Sequence, residues 1–161
     1  MEKDDVSFFG GNEIKFNLRV SAIIEKDGRI LLHRKKTDDF WNLLGGRVKY
    51  GELCENAIIR EISEEIGCRC QIVNLVRACE NLYVFKNSKI HELLIIYRID
   101  LLDEIDNSKK EEDIEIKWFT KCELETVVIK PDFTKEILFE QVDEFKWLIN
   151  DEISSISGKN Q

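Results

Sequence analysis

Apolar and polar positions in this chain follow two periods. Short apolar or alternating runs predict strands at 16–25, with Val20, Ala22, Ile23 and Ile24 inward, and at 29–34, centred on Ile30, Leu31 and Leu32. Asp27-Gly28 between them is a hairpin turn signal. Further strands are predicted at 70–78, 81–85, 90–101 and 115–119, with a turn at Asn87-Ser88. Residues 121–127 read as a turn or a short helix. Helical spacing governs two stretches. Residues 53–66 contain no Gly or Pro and stop at Gly67, a natural helix terminator. Residues 133–151 carry Phe133, Ile137, Leu138, Val142, Phe145, Leu148 and Ile149 at helical intervals, after Pro131 and with Asp132 as the expected cap. Strands around one mid-chain helix, ending in another, predict an α/β fold: a mixed β-sheet flanked by helices. We read residues 1–161 as a single domain with loose ends at 1–13 and 154–161.

Within the first helix, Ile58, Ile59, Ile62 and Ile66 share one arc and form the predicted core stripe. Asn56, Arg60 and Ser63 lie opposite. Glu61, Glu64 and Glu65 occupy a third arc, where neighbouring like charges repel by a few tenths of a kcal/mol per pair, roughly. One and two turns earlier that arc carries only Cys54 and Ala57. Such small residues let another backbone segment come close, and the Gly45-Gly46 pair just upstream is the candidate. Carboxylates beside a buried stripe and a glycine loop suit a hard, oxygen-seeking cation such as Mg²⁺.

Composition narrows the classes. With 43% hydrophobic and 35% charged residues the chain can bury a core. Its net charge of −8 disfavours nucleic acid and anionic membrane surfaces as partners. A polyanionic ligand must therefore be received by local cations or by metal. Five cysteines without a CxxC pair read as reduced thiols of a cytoplasmic protein. His33 and His91 are isolated, which disfavours a zinc site. The first twelve residues are too acidic and polar for a signal peptide. No apolar run reaches the ~18 residues of a membrane span.

Residues 46–68, GRVKYGELCENAIIREISEEIGC, resemble the Nudix box, G-x5-E-x7-R-E-U-x-E-E-x-G-U, where U is a bulky apolar residue. Gly46, Glu52, Arg60, Glu61, Ile62, Glu64, Glu65 and Gly67 hold the fixed positions at the correct spacing. Cys68 stands at the last apolar place, and Leu44 stands where the family usually has Pro before its Gly-Gly pair. The approach through Phe40-Trp41-Asn42-Leu43 is also like that of Nudix domains. The resemblance implies a Nudix α/β/α sandwich and a metal-dependent pyrophosphohydrolase. Its substrate would be a nucleoside diphosphate linked to another group, or a nucleoside triphosphate; the alternative is a nucleotide-binding Nudix module that does not cut. It implies Mg²⁺, or Mn²⁺, held by Glu61, Glu64 and Glu65 with the Gly46 carbonyl. It implies that Arg60 orients a neighbouring carboxylate and that Glu52 supports the loop–helix junction. Which glutamate acts as base stays open.

Outside the box the candidates are weaker. A further carboxylate often helps bind metal in this family. Glu111, Glu112 and Glu115, in or just after the charged loop 103–113, are candidates, with Glu112 favoured and Glu92 next in line. His91 is either a strand-end polar residue or a catalytic one. Arg34 and Lys35 end a strand near the expected cleft and are candidates for phosphate. Trp41, Phe40 and Tyr83 are candidates for stacking on a base. The markers of particular Nudix branches are missing: the single proline, Pro131, lies too far from the box. The expected partner is a small nucleotide-type molecule, and a homodimer is compatible with this reading.

Overall fold

The computed structural model describes residues 4–10, 14–106, 108, 112–140 and 145–152. The centre of the molecule is β2 (Ile14–Lys26). Along one side it pairs in parallel with β6 (Ser88–Leu101) from Ile14↔Lys89 to Ile24↔Ile99. Along the other side it is shared by three antiparallel partners in turn. These are β1 (Ser7–Phe9), then β4 (Leu44–Arg47) at Arg19–Ala22, then β3 (Arg29–Lys35) at the Asp27-Gly28 hairpin. β5 (Cys70–Phe85) and β7 (Ile114–Thr120) extend the sheet, and β8 (Lys146–Asp151) closes it, in the order β7-β3-β2-β6-β5-β8.

Each face of the sheet has its own core. One is covered by α1 (Cys54–Ile66) and contains Val20, Ala22, Ile24, Leu44, Ile58, Ile62 and Ile99. The other is covered by α2 (Lys121–Thr126) and α3 (Phe133–Phe139), with Ile23, Leu94, Ile96, Phe119 and Ile137. Successive residues of a strand point to opposite faces. Even-numbered residues of β2 therefore serve the α1 side. Odd-numbered residues, Arg19, Ser21 and Ile23, serve the other. The expected α/β mixed sheet with flanking helices is observed.

Several expectations are corrected. Ile59 is 40% exposed, and Ala57 takes its place in the buried stripe with Ile58, Ile62 and Ile66. The helix is rolled so that its smallest residue faces the sheet, which lifts Ile59 out and carries the Glu61 edge inward. The predicted strands 70–78 and 81–85 are one strand, β5. Glu80 and Asn81 break its apolar pattern, yet both stay paired across β6, and irregularities at 72–74 and 75–77 absorb the register shift. The predicted helix 133–151 ends at Phe139; Lys146–Asp151 is instead a strand parallel to β5. Phe145, Trp147 and Ile149 alternate as well as they fit a helix. They are exposed, while Leu148 packs inward. Asp132 makes no capping bond and pairs with Lys130 at 2.8 Å. The N-terminal lead-in is ordered where described, with Ser7–Phe9 paired to β2. Val142, Glu111 and the expected loose end at 154–161 lie outside the described residues.

Ile62 is fully buried. Ile62→Asp is therefore expected to lower stability by at least about 3 kcal/mol, because it buries an unpaired charge. Ile59→Asp should cost about 1 kcal/mol or less. Chemical denaturation of the two variants separates the helix faces.

Candidate functional site

The box begins on β4 and crosses to α1. Gly45 has φ +142°, and a side chain there would run into the backbone of β2, with Ser21 Cα only 2.8 Å from a Cβ. Gly46 is under a different constraint: a Cβ there would overlap the Glu61 carboxylate. The glycine pair thus lets β4 lie tightly on β2 and lets Glu61 lie flat against β4. At the far end Gly67 takes the left-handed conformation and its N–H closes on Ser63 O.

Arg60 ties the box together. Its Nε and Nη2 donate to Glu52 at 2.8 and 2.9 Å. Its Nη1 donates to Glu61 at 2.7 Å and to Glu64 at 3.1 Å, and its Nη2 also reaches Arg47 O at 3.0 Å. Glu52 in turn accepts from Lys49 N at 3.0 Å, and its carboxyl is held below the usual range chiefly by the bonds from Arg60. Arg60 was expected opposite the core stripe, orienting a carboxylate; it lies across the carboxylates and bonds three of them. Glu61 is half-buried, and burial raises its pKa against the opposing pull of Arg60. Glu64 is more open.

Glu65 faces elsewhere. Gly45 N donates to its Oε2 at 3.0 Å, and His33 Nδ1 lies 3.3 Å from its Oε1. Burial, then the nearby Arg19 charge, holds His33 down to about 4, so the ring is neutral near pH 7. The contact is then one between a neutral imidazole and the carboxylate, and the ring also meets the Leu43 backbone.

These residues open into a cleft of about 330 Å³, lined by Asp5, Arg19, Gly46, Arg47, Lys49, Arg60, Glu61 and Glu64. Past Arg19 lies a smaller hollow of about 30 Å³, bounded by Ser21, Asn42, Glu92, Lys130 and Thr134 among others. The carboxylates and the adjacent Gly46 form a hard-oxygen donor set, which fits a divalent cation such as Mg²⁺. Among the described residues no group of three or more His, Cys, Asp or Glu side chains is placed to hold a metal ion, and Glu65 in particular turns away from Glu61 and Glu64. Two carboxylates alone would leave most of a cation's shell to water or ligand phosphate, as is usual for Mg²⁺.

The other expected residues scatter. Trp41 is 5% exposed, packed edge-on against Phe119 at 4.7 Å with the Arg34 guanidinium over its ring. It belongs to the core and offers no free face for stacking. Arg34 is occupied by Glu115, which accepts from its Nε and Nη2 at 2.8 Å. Tyr83 points its hydroxyl at Glu92, 3.4 Å away, and burial raises its pKa. Glu92 is buried on the hollow's wall, whereas its neighbour His91 bonds Glu80 on the other face. Glu112 is exposed, two residues before β7 begins opposite Lys35. Sequence reading missed His33, Arg19, Arg47, Lys49 and Asp5. Only Arg19 carried a signal, as a charge inside an otherwise apolar strand.

A two-layered helix cover on a mixed sheet, with a glycine–carboxylate loop–helix at its edge, defines a Nudix-type domain. The NUDIX domain family profile matches residues 15–148, and the chain belongs to that family. It is 34% identical to an ADP-ribose pyrophosphatase of Methanocaldococcus jannaschii over 86 residues, 52% of this chain and 50% of the relative. It is 37% identical to the CTP pyrophosphohydrolase of Escherichia coli over 57 residues, 33% and 42% of the two chains. The matched segments cover about half of these relatives. Among solved structures, the fold is shared with a UDP-X diphosphatase at a TM-score of 0.64 and 21% identity, covering 82% of this chain and 66% of that one. A MutT protein from Bacillus halodurans gives 0.66 at 15% identity, covering 84% and 91%.

The two glycines should separate under mutation. Gly46→Ala is expected to keep the fold, within about 2 kcal/mol, because a flexible carboxylate can swing aside and no left-handed φ is required. Its ligand and metal affinity should fall at least about tenfold, since Glu61 is displaced. Gly45→Ala should fail to fold. Melting curves and metal titration of both variants check this.

Proposed function

We propose that this protein is a divalent-metal-dependent pyrophosphohydrolase. Its substrate is a diphosphate linkage in a nucleoside diphosphate joined to another group, or in a nucleoside triphosphate. The observation that carries this reading is the seating of Glu61 on Gly46, with Arg60 bridging Glu61 and Glu64 at the cleft. The printed activities of the relatives, on ADP-ribose and CTP, point the same way.

In the reaction, water attacks one phosphorus, the bridging P–O bond breaks, and two phosphate products leave. The difficulty is negative charge: the nucleophile must approach through anionic oxygens. Bound Mg²⁺ or Mn²⁺ supplies charge neutralisation and a more acidic bound water. Glu61 and Glu64 would hold the cation, with the Gly46 carbonyl as the backbone ligand that the box resemblance implies. Arg60 keeps both carboxylates aimed into the cleft, and Glu52 fixes Arg60 at the loop–helix junction. Glu65, set by Gly45 N and His33, is either a further ligand or the residue that orients the attacking water. Glu112 is our candidate for the acid outside the box. Antiparallel pairing of β7 with β3 brings its loop to the end of β3 that carries His33, and Lys36 N binds Asp113 O there at 2.8 Å. Arg34, Trp41 and Tyr83 act by shaping the walls: Arg34 and Trp41 brace β3 against β7, and Tyr83 anchors Glu92.

A screen of nucleoside diphosphate conjugates and nucleoside triphosphates with Mg²⁺ or Mn²⁺, scored for phosphate-ester products, tests the reading. Turnover should vanish in EDTA and return with excess metal. Glu64→Gln should retain its melting temperature yet lose about two or more orders of magnitude in kcat. Wild-type turnover by Glu64→Gln would remove the helix face from the reaction.

Glu112→Gln should lose activity about tenfold or more and require more Mg²⁺ for half-maximal rate. Normal metal dependence would make that loop inert and turn attention to Glu92→Gln.

A further inference from the structure

The cleft carries a feature that the carboxylate site does not use. Arg19 and Arg47 are directly opposite each other across the β2–β4 pair. Like charges facing one another in this way are destabilising. Each arginine has a buried carboxylate partner, but at long range. Glu92 lies 3.8 Å from Arg19 Nη1, and Asp5 lies 3.4 Å from Arg47 Nη1. Arg60, by contrast, holds Glu61 at 2.7 Å, and Arg69 holds Asp103 at 2.9 Å. The Nε atoms of both Arg19 and Arg47 are shielded from solvent and have no hydrogen-bond partner. The Nη ends, by contrast, are partly exposed and only loosely paired, and two such guanidiniums side by side are arranged for a shared anion, whose phosphate oxygens suit the planar fork.

The surrounding charge agrees. The cleft is lined by four cationic side chains, Arg19, Arg47, Lys49 and Arg60, against three carboxylates, Asp5, Glu61 and Glu64. It is a locally positive place in a chain of net charge −8. Arg60 is already committed to the box glutamates, which leaves the β2–β4 pair to face an incoming anion. Arg19 also lines both the cleft and the smaller hollow behind it.

We propose that Arg19 and Arg47 form a phosphate receptor. They take the phosphate of the diphosphate group that the Glu61–Glu64 cluster does not hold. This deepens the hydrolase reading and rests on it for the substrate's identity. The ligand chemistry is a phosphate with a second phosphate bonded to it, spanning from the helix carboxylates to the strand arginines. Glu92 and Asp5 are positioning residues, each restraining one arginine without saturating it.

The test uses inorganic pyrophosphate and the full chain in EDTA at low ionic strength, by calorimetry. Wild type should bind. Arg19→Gln and Arg47→Gln should each bind about tenfold or more weakly, as expected for loss of a charge-assisted bond. Arg19→Lys should fall between, since it keeps the charge and loses the fork. Lys26→Gln, at the distant hairpin, should match wild type. Melting temperatures within a few degrees of wild type show that the losses are not unfolding. If Arg19→Gln does not fold, Arg19→Lys and Arg47→Gln carry the test. Wild-type affinity in the glutamine variants, or no binding by wild type, overturns the proposal. Binding in EDTA is independent of turnover. Arginine-dependent binding by a chain that hydrolyses nothing would sink the hydrolase reading alone. Turnover with arginine-independent binding would sink this inference alone.

Discussion

The cleft depends on how closely α1 approaches β4. That approach needs the absence of two side chains. Gly45 has none, so β4 can lie against β2, and Gly46 has none, so Glu61 can lie against β4. Ala57, fully buried on the same side of the helix, keeps the gap small. The cost is a half-buried carboxylate beside two others. Arg60 offsets it by donating to Glu52, Glu61 and Glu64 at once. A buried charge deprived of its partner is strongly destabilising. The arginine is therefore as much a condition of the site as the glutamates are.

The sheet explains why cations face those glutamates. β2 gives its even residues to the α1 core and its odd residues to the opposite face. Near the middle of β2, α2 and α3 cover the odd face with apolar side chains, as at Ile23. Toward its start that face is polar, with Asn17 and Arg19. β4 pairs with β2 there and sets Arg47 opposite Arg19. A single strand thus builds both a core and a charged wall, and the change from one to the other falls between Ile23 and Arg19.

Much of this was legible in the chain. The strands around Ile23, Leu31 and Ile96, the α1 helix and its Gly67 stop, and the spacing of the box glutamates all follow from local rules. What was not legible depended on tertiary geometry. Ile59 and Ala57 flank the Ile58–Ile62–Ile66 stripe on opposite sides, and only the close contact with the glycine strand decides which flank is buried. Phe145, Trp147, Leu148 and Ile149 fit either period, and pairing with β5 selects the strand. For Trp41 the sequence left stacking on a base and core packing both open, and its partners Phe119 and Arg34, which decide for the core, are distant or inconspicuous in sequence. His33 meets Glu65 across 32 positions, and no local pattern announces that.

The central claim is that one cation sits where Glu61, Glu64 and Gly46 meet. Paramagnetic broadening by Mn²⁺ in a two-dimensional amide NMR spectrum tests it without reference to any substrate. The account predicts that substoichiometric Mn²⁺ erases the amide signals of residues 45–47 and 60–65 first, along with that of Arg19, and that Glu64→Gln weakens the effect. Broadening confined to the 103–113 loop, or spread evenly over the acidic surface, would contradict it.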